Sequence, residues 1–256
     1  MIEQRIQDGV SIITLNRPEK YNAIIREMAL KIQQHLDEAA NKEDIRAVLI
    51  SAKGKAFCAG QDLQEVIEDN QIDITKIISQ HYNPIIIKLT ELEKPVICAV
   101  NGVAAGAGAN LALACDIVVA GESASFIQAF SKIGLIPDSG GTYILPRLIG
   151  MQRAKAIMML GDKISAKDAV DMGMIYKVFQ DETLEAEALK LASKLASMPT
   201  KALGMTKRAL NYGLTHNLDK QLGIEEQFQA AASMTEDFRE GVNAFLEKRR
   251  ADFKGK

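Results

Sequence analysis

The rhythm of hydrophobic and polar positions changes along the chain. Ile2–Ile6 and Val10–Leu15 are short β runs on either side of Asp8-Gly9, a pair that predicts a hairpin turn. Asn16-Arg17-Pro18 breaks the second run. From Ile25 to Ala40 apolar residues recur at Met28, Ile32, Leu36 and Ala39, the spacing of one helix face. Ala47–Ser51 reads as a buried strand, Lys53-Gly54-Lys55 as a turn and Ile74–Leu92 as a second helix. Pro95–Val100 is a strand, followed by a glycine-rich turn, a helix over Gly108–Ala114 and a strand over Asp116–Ala120. Strands alternating with helices predict an α/β core.

The strand pattern ends with Ile175–Phe179. Leu184–Ala196, Lys201–Tyr212, Leu218–Ser233 and Glu236–Arg249 each carry apolar residues at helical spacing. The division expected is an α/β core over 1–200 and a helical C-terminal region over 201–256. The second is too short to bury Leu218, Leu222, Phe228, Met234, Phe238, Val242 and Phe245 by itself, which predicts self-association.

Composition narrows the function. The chain has 256 residues, 47% hydrophobic and 25% charged, which excludes a disordered or fibrous protein. Lys+Arg 31 against Asp+Glu 33 leaves a net charge of -2, no global excess for holding nucleic acid. Aromatics at 5% with no Trp also argue against a base-stacking platform. No basic n-region opens the chain and no apolar run approaches about 20 residues, so a cytoplasmic protein without a membrane span is expected. Cys58, Cys98 and Cys115 have no C-x-x-C spacing and read as buried reduced thiols. His35, His81 and His216 have no metal-ligand spacing, so no metal is expected; His35 and His216 read as surface residues on helices.

Three glycine-bearing turns are the candidate chemistry: Phe57–Leu63, Asn101–Asn110 and Gly134–Thr142. The first two offer backbone N–H groups at a helix start, where negative charge is favoured. A pair of such donors can hold a developing oxyanion. Each turn taken alone is better explained by a tight turn and close helix packing. Gly106-Ala107-Gly108 begins a dinucleotide fingerprint, but Leu111 stands where the third glycine belongs, and no phosphate-binding P-loop motif occurs. Ser139 lies in Asp-Ser-Gly-Gly rather than in a nucleophile elbow, which argues against a serine hydrolase.

These turns, in this order, resemble the enoyl-CoA hydratase/isomerase (crotonase) superfamily. Asn16–Lys20 with Asn22-Ala23, Lys94-Pro95, Asp116, Pro146-Arg147, Gly173 and Phe238–Arg249 extend the resemblance along the whole chain. It implies an α/β spiral of ββα units with a helical C-terminal trimerisation region. It implies that the N–H groups of Gln61 and Ala107 hold a thioester oxygen, Gly106 and Gly108 being the neighbouring alternatives for the second donor. Ala59, Asp62 and Leu63 would lie along the adenine of coenzyme A and Lys20 near its phosphates. Phe253 and Lys256 would reach a neighbouring subunit's nucleotide. The bland reading of Lys20 and Lys256 is solvated surface charge.

The family's hydratases use two glutamates, whose positions here hold Asn110 and Phe130 in the acyl pocket. Neither exchanges a proton near neutral pH, which argues against two-carboxylate hydration. Asp138 stands where several isomerases of the family place an aspartate; its bland reading is a helix N-cap. The strings Asn101–Ala109, Ala129–Asp138 and Phe253–Lys256 look much like the ring-epoxide isomerases of phenylacetate degradation. That resemblance implies conversion of ring-1,2-epoxyphenylacetyl-CoA to oxepin-CoA and of 3-enoyl-CoA to 2-enoyl-CoA, with Asp138 as acid/base. No cofactor is implied beyond the coenzyme A of the substrate. The alternatives are an enoyl-CoA hydratase and a non-catalytic binding protein of the same fold. The expected assembly is a homotrimer or a dimer of trimers, with no nucleic-acid or membrane partner.

Overall fold

β1 (Ile2–Gln7) and β2 (Val10–Leu15) form the expected antiparallel hairpin, with Asp8 and Gly9 at φ 49° and 75° in the turn. The computed structural model describes residues 1–68 and 73–256, and of 66–68 only the backbone. After a 3-10 turn at Pro18–Lys20 come α1 (Arg26–Asn41), β3 (Ala47–Ala52), β4 (Ala56–Cys58) and α2 (Leu63–Glu68). Next are α3 (Ile74–Lys76), a π-helical turn (Ile77–Tyr82), α4 (Asn83–Glu91), β5 (Val96–Val100), β6 (Val103–Ala105) and α5 (Ala107–Leu113). β7 (Ile117–Gly121), β8 (Ser125–Ile127), a 3-10 turn (Ala129–Ile133), α6 (Gly141–Ile149), α7 (Met151–Leu160), β9 (Lys163–Ser165), α8 (Ala166–Asp171) and β10 (Lys177–Phe179) follow. Four helices close the chain: α9 (Leu184–Ala196), α10 (Thr200–Gly213), α11 (Leu218–Ser233) and α12 (Glu236–Leu246).

Successive repeats place one strand in each of two sheets. The larger runs β1-β2-β3-β5-β7-β10 and is parallel from β2 onward; the smaller runs β4-β6-β8-β9 and is parallel up to β8. Each strand pair β3/β4, β5/β6 and β7/β8 is one turn of a ββα spiral, and the turns stack in register. The small sheet went unseen in the sequence because its strands have three residues each, too few to show a period of two. β4 and β6 overlap the first two glycine turns, and β8 and β9 lie outside them. The third glycine turn follows a 3-10 turn.

Alternation along the central strands divides the core. Val48, Ile50, Val96, Cys98, Val100, Val118 and Ala120 face inward between the layers. Val10, Ile12, Ala47, Leu49, Ile97, Ala99 and Val119 face α9. Ala188, Ala192 and Ala196 recur every fourth residue on α9, so small side chains let it lie close to the sheet. The three cysteines are buried and free. His35 is buried on α1, contrary to its reading as a surface residue, because it falls between Ile32 and Leu36 on the inward face. His216 lies in the link after α10, half-buried and stacked on Tyr212 at 5.6 Å, rather than on a helix.

α10 is pinned to the spiral by Lys207. Its buried ammonium donates to Asp116 Oδ2 at 2.9 Å and to Leu89 O at 2.6 Å. α11 buries no residue, and Phe245 on α12 is 83% exposed. No helix among the described residues is long and apolar enough to cross a membrane.

Candidate active site

Two loops meet at the carboxyl ends of β4 and β6. In the first, Gly60 adopts φ +90°, and a Cβ there would stand 3.0 Å from Ala105 O and 3.5 Å from Ala107 N. Only a glycine lets the loops approach this closely. The chain beside Gly60 is stitched to the segment before α1: Ile24 N donates to Gly60 O at 2.7 Å, Asp62 N to Ile24 O at 3.0 Å and Ala59 N to Tyr21 O at 3.0 Å. That pattern leaves the intervening Gln61 N–H with no acceptor among the described residues.

In the second loop Gly106, at φ 53°, donates to Ile127 O at 2.8 Å and accepts from Asn110 N at 3.1 Å. The N–H groups of Ala107, Gly108 and Ala109 open α5 with no acceptor among the described residues. Gly108 is committed to packing, since a Cβ would come within 2.5 Å of Cys58 O. Ala107 is the member of this turn next to Gly60. Two unpaired main-chain donors on abutting loops are suited to a partly negative oxygen.

Asn110 is fully buried and holds the third turn. Its Nδ2 donates to Asp138 O at 2.8 Å, its Oδ1 accepts from Gln128 Nε2 at 2.7 Å, and a side chain on Gly141 would overlap it. Phe130 is buried with its ring 3.7 Å from the Cβ position of Gly106. Asp138 precedes α6, and Ser139 Oγ donates to its Oδ1 at 2.8 Å. Burial raises its pKa above the usual carboxylate value, against the lowering effect of that hydrogen bond. A carboxylate so placed is a stronger base than one in water.

Lys20, Ala59, Gln61, Asp62 and Leu63 lie together on one edge of the first loop. Lys20 Nζ donates to Gln64 Oε1 at 2.8 Å, and Leu63 is exposed. Asp62 is turned inward, unlike a side chain along an adenine. Its Oδ2 accepts from Arg17 Nη1 at 2.7 Å and its Oδ1 from Gln64 N at 3.0 Å, capping α2. Burial pushes its pKa up, but Arg17 and the Gln64 N–H outweigh that and hold the carboxyl below its usual range. Any ligand contact at Asp62 is therefore left to its backbone.

Phe253 and Lys256 sit elsewhere in the chain. Arg46 Nη1 donates to Phe253 O at 2.7 Å, Asp237 accepts from Lys254 N and Gly255 N, and Lys256 Nζ lies 3.3 Å from Glu43 Oε2. Arg46 lies past the far end of α1, whose first turn adjoins Gly60; 16 residues at about 1.5 Å each separate those ends by roughly 24 Å. Within one chain the tail does not reach the loop pair. Tyr82, Glu65 and Gln128 do, and the hydrophobic pattern gave none of them a mark.

A profile of the family described as Enoyl-CoA hydratase/isomerase matches residues 5–256. The chain belongs to the enoyl-CoA hydratase/isomerase family. It is 47% identical over 258 residues to the 1,2-epoxyphenylacetyl-CoA isomerase of Escherichia coli strain K12, spanning 100% of this chain and 98% of that one. It is 37% identical to the 2,3-dehydroadipyl-CoA hydratase of the same organism, over 98% of this chain and 97% of that one. The crystal structure of an enoyl-CoA hydratase from Bacillus anthracis superposes with a TM-score of 0.95 at 35% identity, covering 100% of this chain and 99% of that one. The family therefore includes proteins named for both isomerisation and hydration, and the side chains around the loop pair must decide between them.

Proposed function

We propose that this chain isomerises acyl-CoA thioesters, with Asp138 moving the proton and the N–H groups of Gln61 and Ala107 holding the thioester oxygen. One observation carries the reading. Asp138 is a titratable group with a raised pKa beside the loop pair, while the positions that would hold the two glutamates of a hydratase carry Asn110, spent on hydrogen bonds, and Phe130. Two donors on the thioester oxygen stabilise the enolate formed when a proton leaves the α-carbon. Asp138 takes that proton and returns it to a different carbon, so no water is consumed. Phe130 lines the approach and helps keep the site dry.

The favoured substrate is ring-1,2-epoxyphenylacetyl-CoA, converted to oxepin-CoA, with 3-enoyl-CoA to 2-enoyl-CoA as the simpler form of the same proton shift. The 47% identity to a protein named for the epoxide supports it. Hydration is the second reading, favoured by the relative named a hydratase. Incubation with a 3-enoyl-CoA and, separately, with crotonyl-CoA separates them. Isomerisation predicts a rise in conjugated-thioester absorbance with the first and no loss with the second. Loss with crotonyl-CoA alone would assign hydration, and no change with either would leave a binding protein.

Assembly belongs to the same reading. Leu218 on α11, Met234 in the link after it, and Phe238, Phe245 and Leu246 on α12 are exposed, more apolar surface than a monomer usually leaves in water. A cyclic trimer, alone or paired into a hexamer, covers these faces and carries Phe253 and Lys256 toward a neighbour's nucleotide pocket. Light scattering at micromolar concentration tests it. An active species near 28 kDa would remove both the assembly and the shared pocket.

A further inference from the structure

The π-helical turn before α4 places a buried phenol against the first loop. Tyr82 is 1% exposed, and its hydroxyl donates to Gln61 Oε1 at 3.1 Å. The other end of the same amide is also held: Gln61 Nε2 donates to Glu65 Oε2 at 2.8 Å and to Asp62 O at 3.3 Å. Glu65 Oε1 in turn accepts from Arg26 N at 3.0 Å, which ties α2 to the first turn of α1.

The wide turn is fixed from outside. Asn83 N donates to Ile78 O, five residues back, and Gln33 Nε2 reaches from α1 to Gln80 O at 2.8 Å and His81 O at 3.0 Å. An extra residue in the turn brings His81 and Tyr82 both inward, a local cost that recurs at functional sites. Burial chiefly raises the pKa of Tyr82, with Cys58, Asp138 and Glu65 as smaller causes.

We infer that Tyr82 is a positioning residue: its hydroxyl fixes the Gln61 side chain and thereby aims the Gln61 backbone N–H at the thioester oxygen. This rests on the reading of that N–H as an oxyanion donor. It makes the Gln61 side chain part of the site's support, although the donor itself is main chain. Losing the hydroxyl leaves the loop able to bind substrate but aims the donor less well where charge develops.

Tyr82→Phe and Gln61→Met keep volume and remove the bond from either side. Each should lower kcat by about tenfold, with KM within about twofold and little change in Tm. The double variant should be no slower than either single one, because both remove the same interaction. A conjugated aryl-acryloyl-CoA adds a second readout. Polarisation of its thioester carbonyl shifts the absorption band to the red on binding, and Tyr82→Phe should reduce that shift. An unchanged kcat and an unchanged shift in Tyr82→Phe would overturn the inference while leaving the oxyanion site intact. A loss that follows Tm or KM instead of kcat would overturn it too, as would multiplicative losses in the double variant. The absence of any red shift in the parent protein would instead remove the oxyanion reading on which the inference stands.

Discussion

The two loops that meet at Gly60 and Ala107 both need Gly60 to be bare, but they differ in what else chiefly holds them. The second, Gly106–Asn110, is fixed by missing side chains: Gly108 lies on Cys58, and Gly141 leaves room for Asn110. The first, Ala59–Leu63, is fixed by side chains that are present. Arg17 holds Asp62, Asn22 donates to Ala56 O at 2.8 Å and Lys53 O at 2.9 Å, and Tyr82 and Glu65 hold Gln61. Packing against glycine fails all at once when a methyl group is added. A polar network weakens one bond at a time. The second loop should therefore be the less tolerant, and the first the more finely adjustable.

Asp138→Asn sets the scale, since it removes the proposed proton carrier and touches neither loop's support. Isomerisation should fall by about 10²- to 10⁴-fold while acyl-CoA binding survives. Retention of more than about a tenth of the rate would place the base elsewhere. Gly108→Val is the sharpest test of the second loop. Its side chain would collide with Cys58, and turnover should drop by about 10²-fold or more in the protein that folds. An unaltered rate in a folded Gly108→Val variant would break the contrast between the loops.

Arg17→Met tests the first loop. It leaves the Asp62 carboxylate buried without its partner, so denaturant unfolding should show a loss of about 3 kcal/mol. A change within about 0.5 kcal/mol would mean that the network is incidental. The smallest effect is in pH. Burial holds the Asp138 carboxyl above its ordinary value of 3.8, so the folded chain binds that proton more tightly than the unfolded one. Stability from this group is therefore lost as pH rises through the window above 3.8, while the basic form needed for turnover appears over that same window. The acid limb of kcat/KM, which reports the free enzyme, should have its midpoint above 3.8; a limb at or below that value would detach the rate from Asp138.

The same contrast explains what could be read in advance. The hairpin at Asp8-Gly9, the helix over Met28–Ala39 and the large-sheet strands follow from local periodicity and turn chemistry, and all are present. The loop built on Gly106 and Gly108 was equally visible, because a glycine in sequence is itself the absence that packing requires. His35 was misread, and the helix expected over Ile74–Leu92 is present but carries a π-helical turn at Ile77–Tyr82. A 3–4 spacing does not tell which neighbour covers a face, nor where a helix widens to bring His81 and Tyr82 both inward.

The sequence by itself determined the alternating α/β order and the glycine turns, and it singled out Asp138 as the candidate acid/base. These are properties of single residues and of short windows. Only the tertiary structure decided that three-residue strands form a second sheet, that Asp62 faces Arg17, and that Tyr82 meets Gln61 across 21 positions. Such pairings have no local period. They arise because buried donors and acceptors must find partners wherever the packed chain brings them.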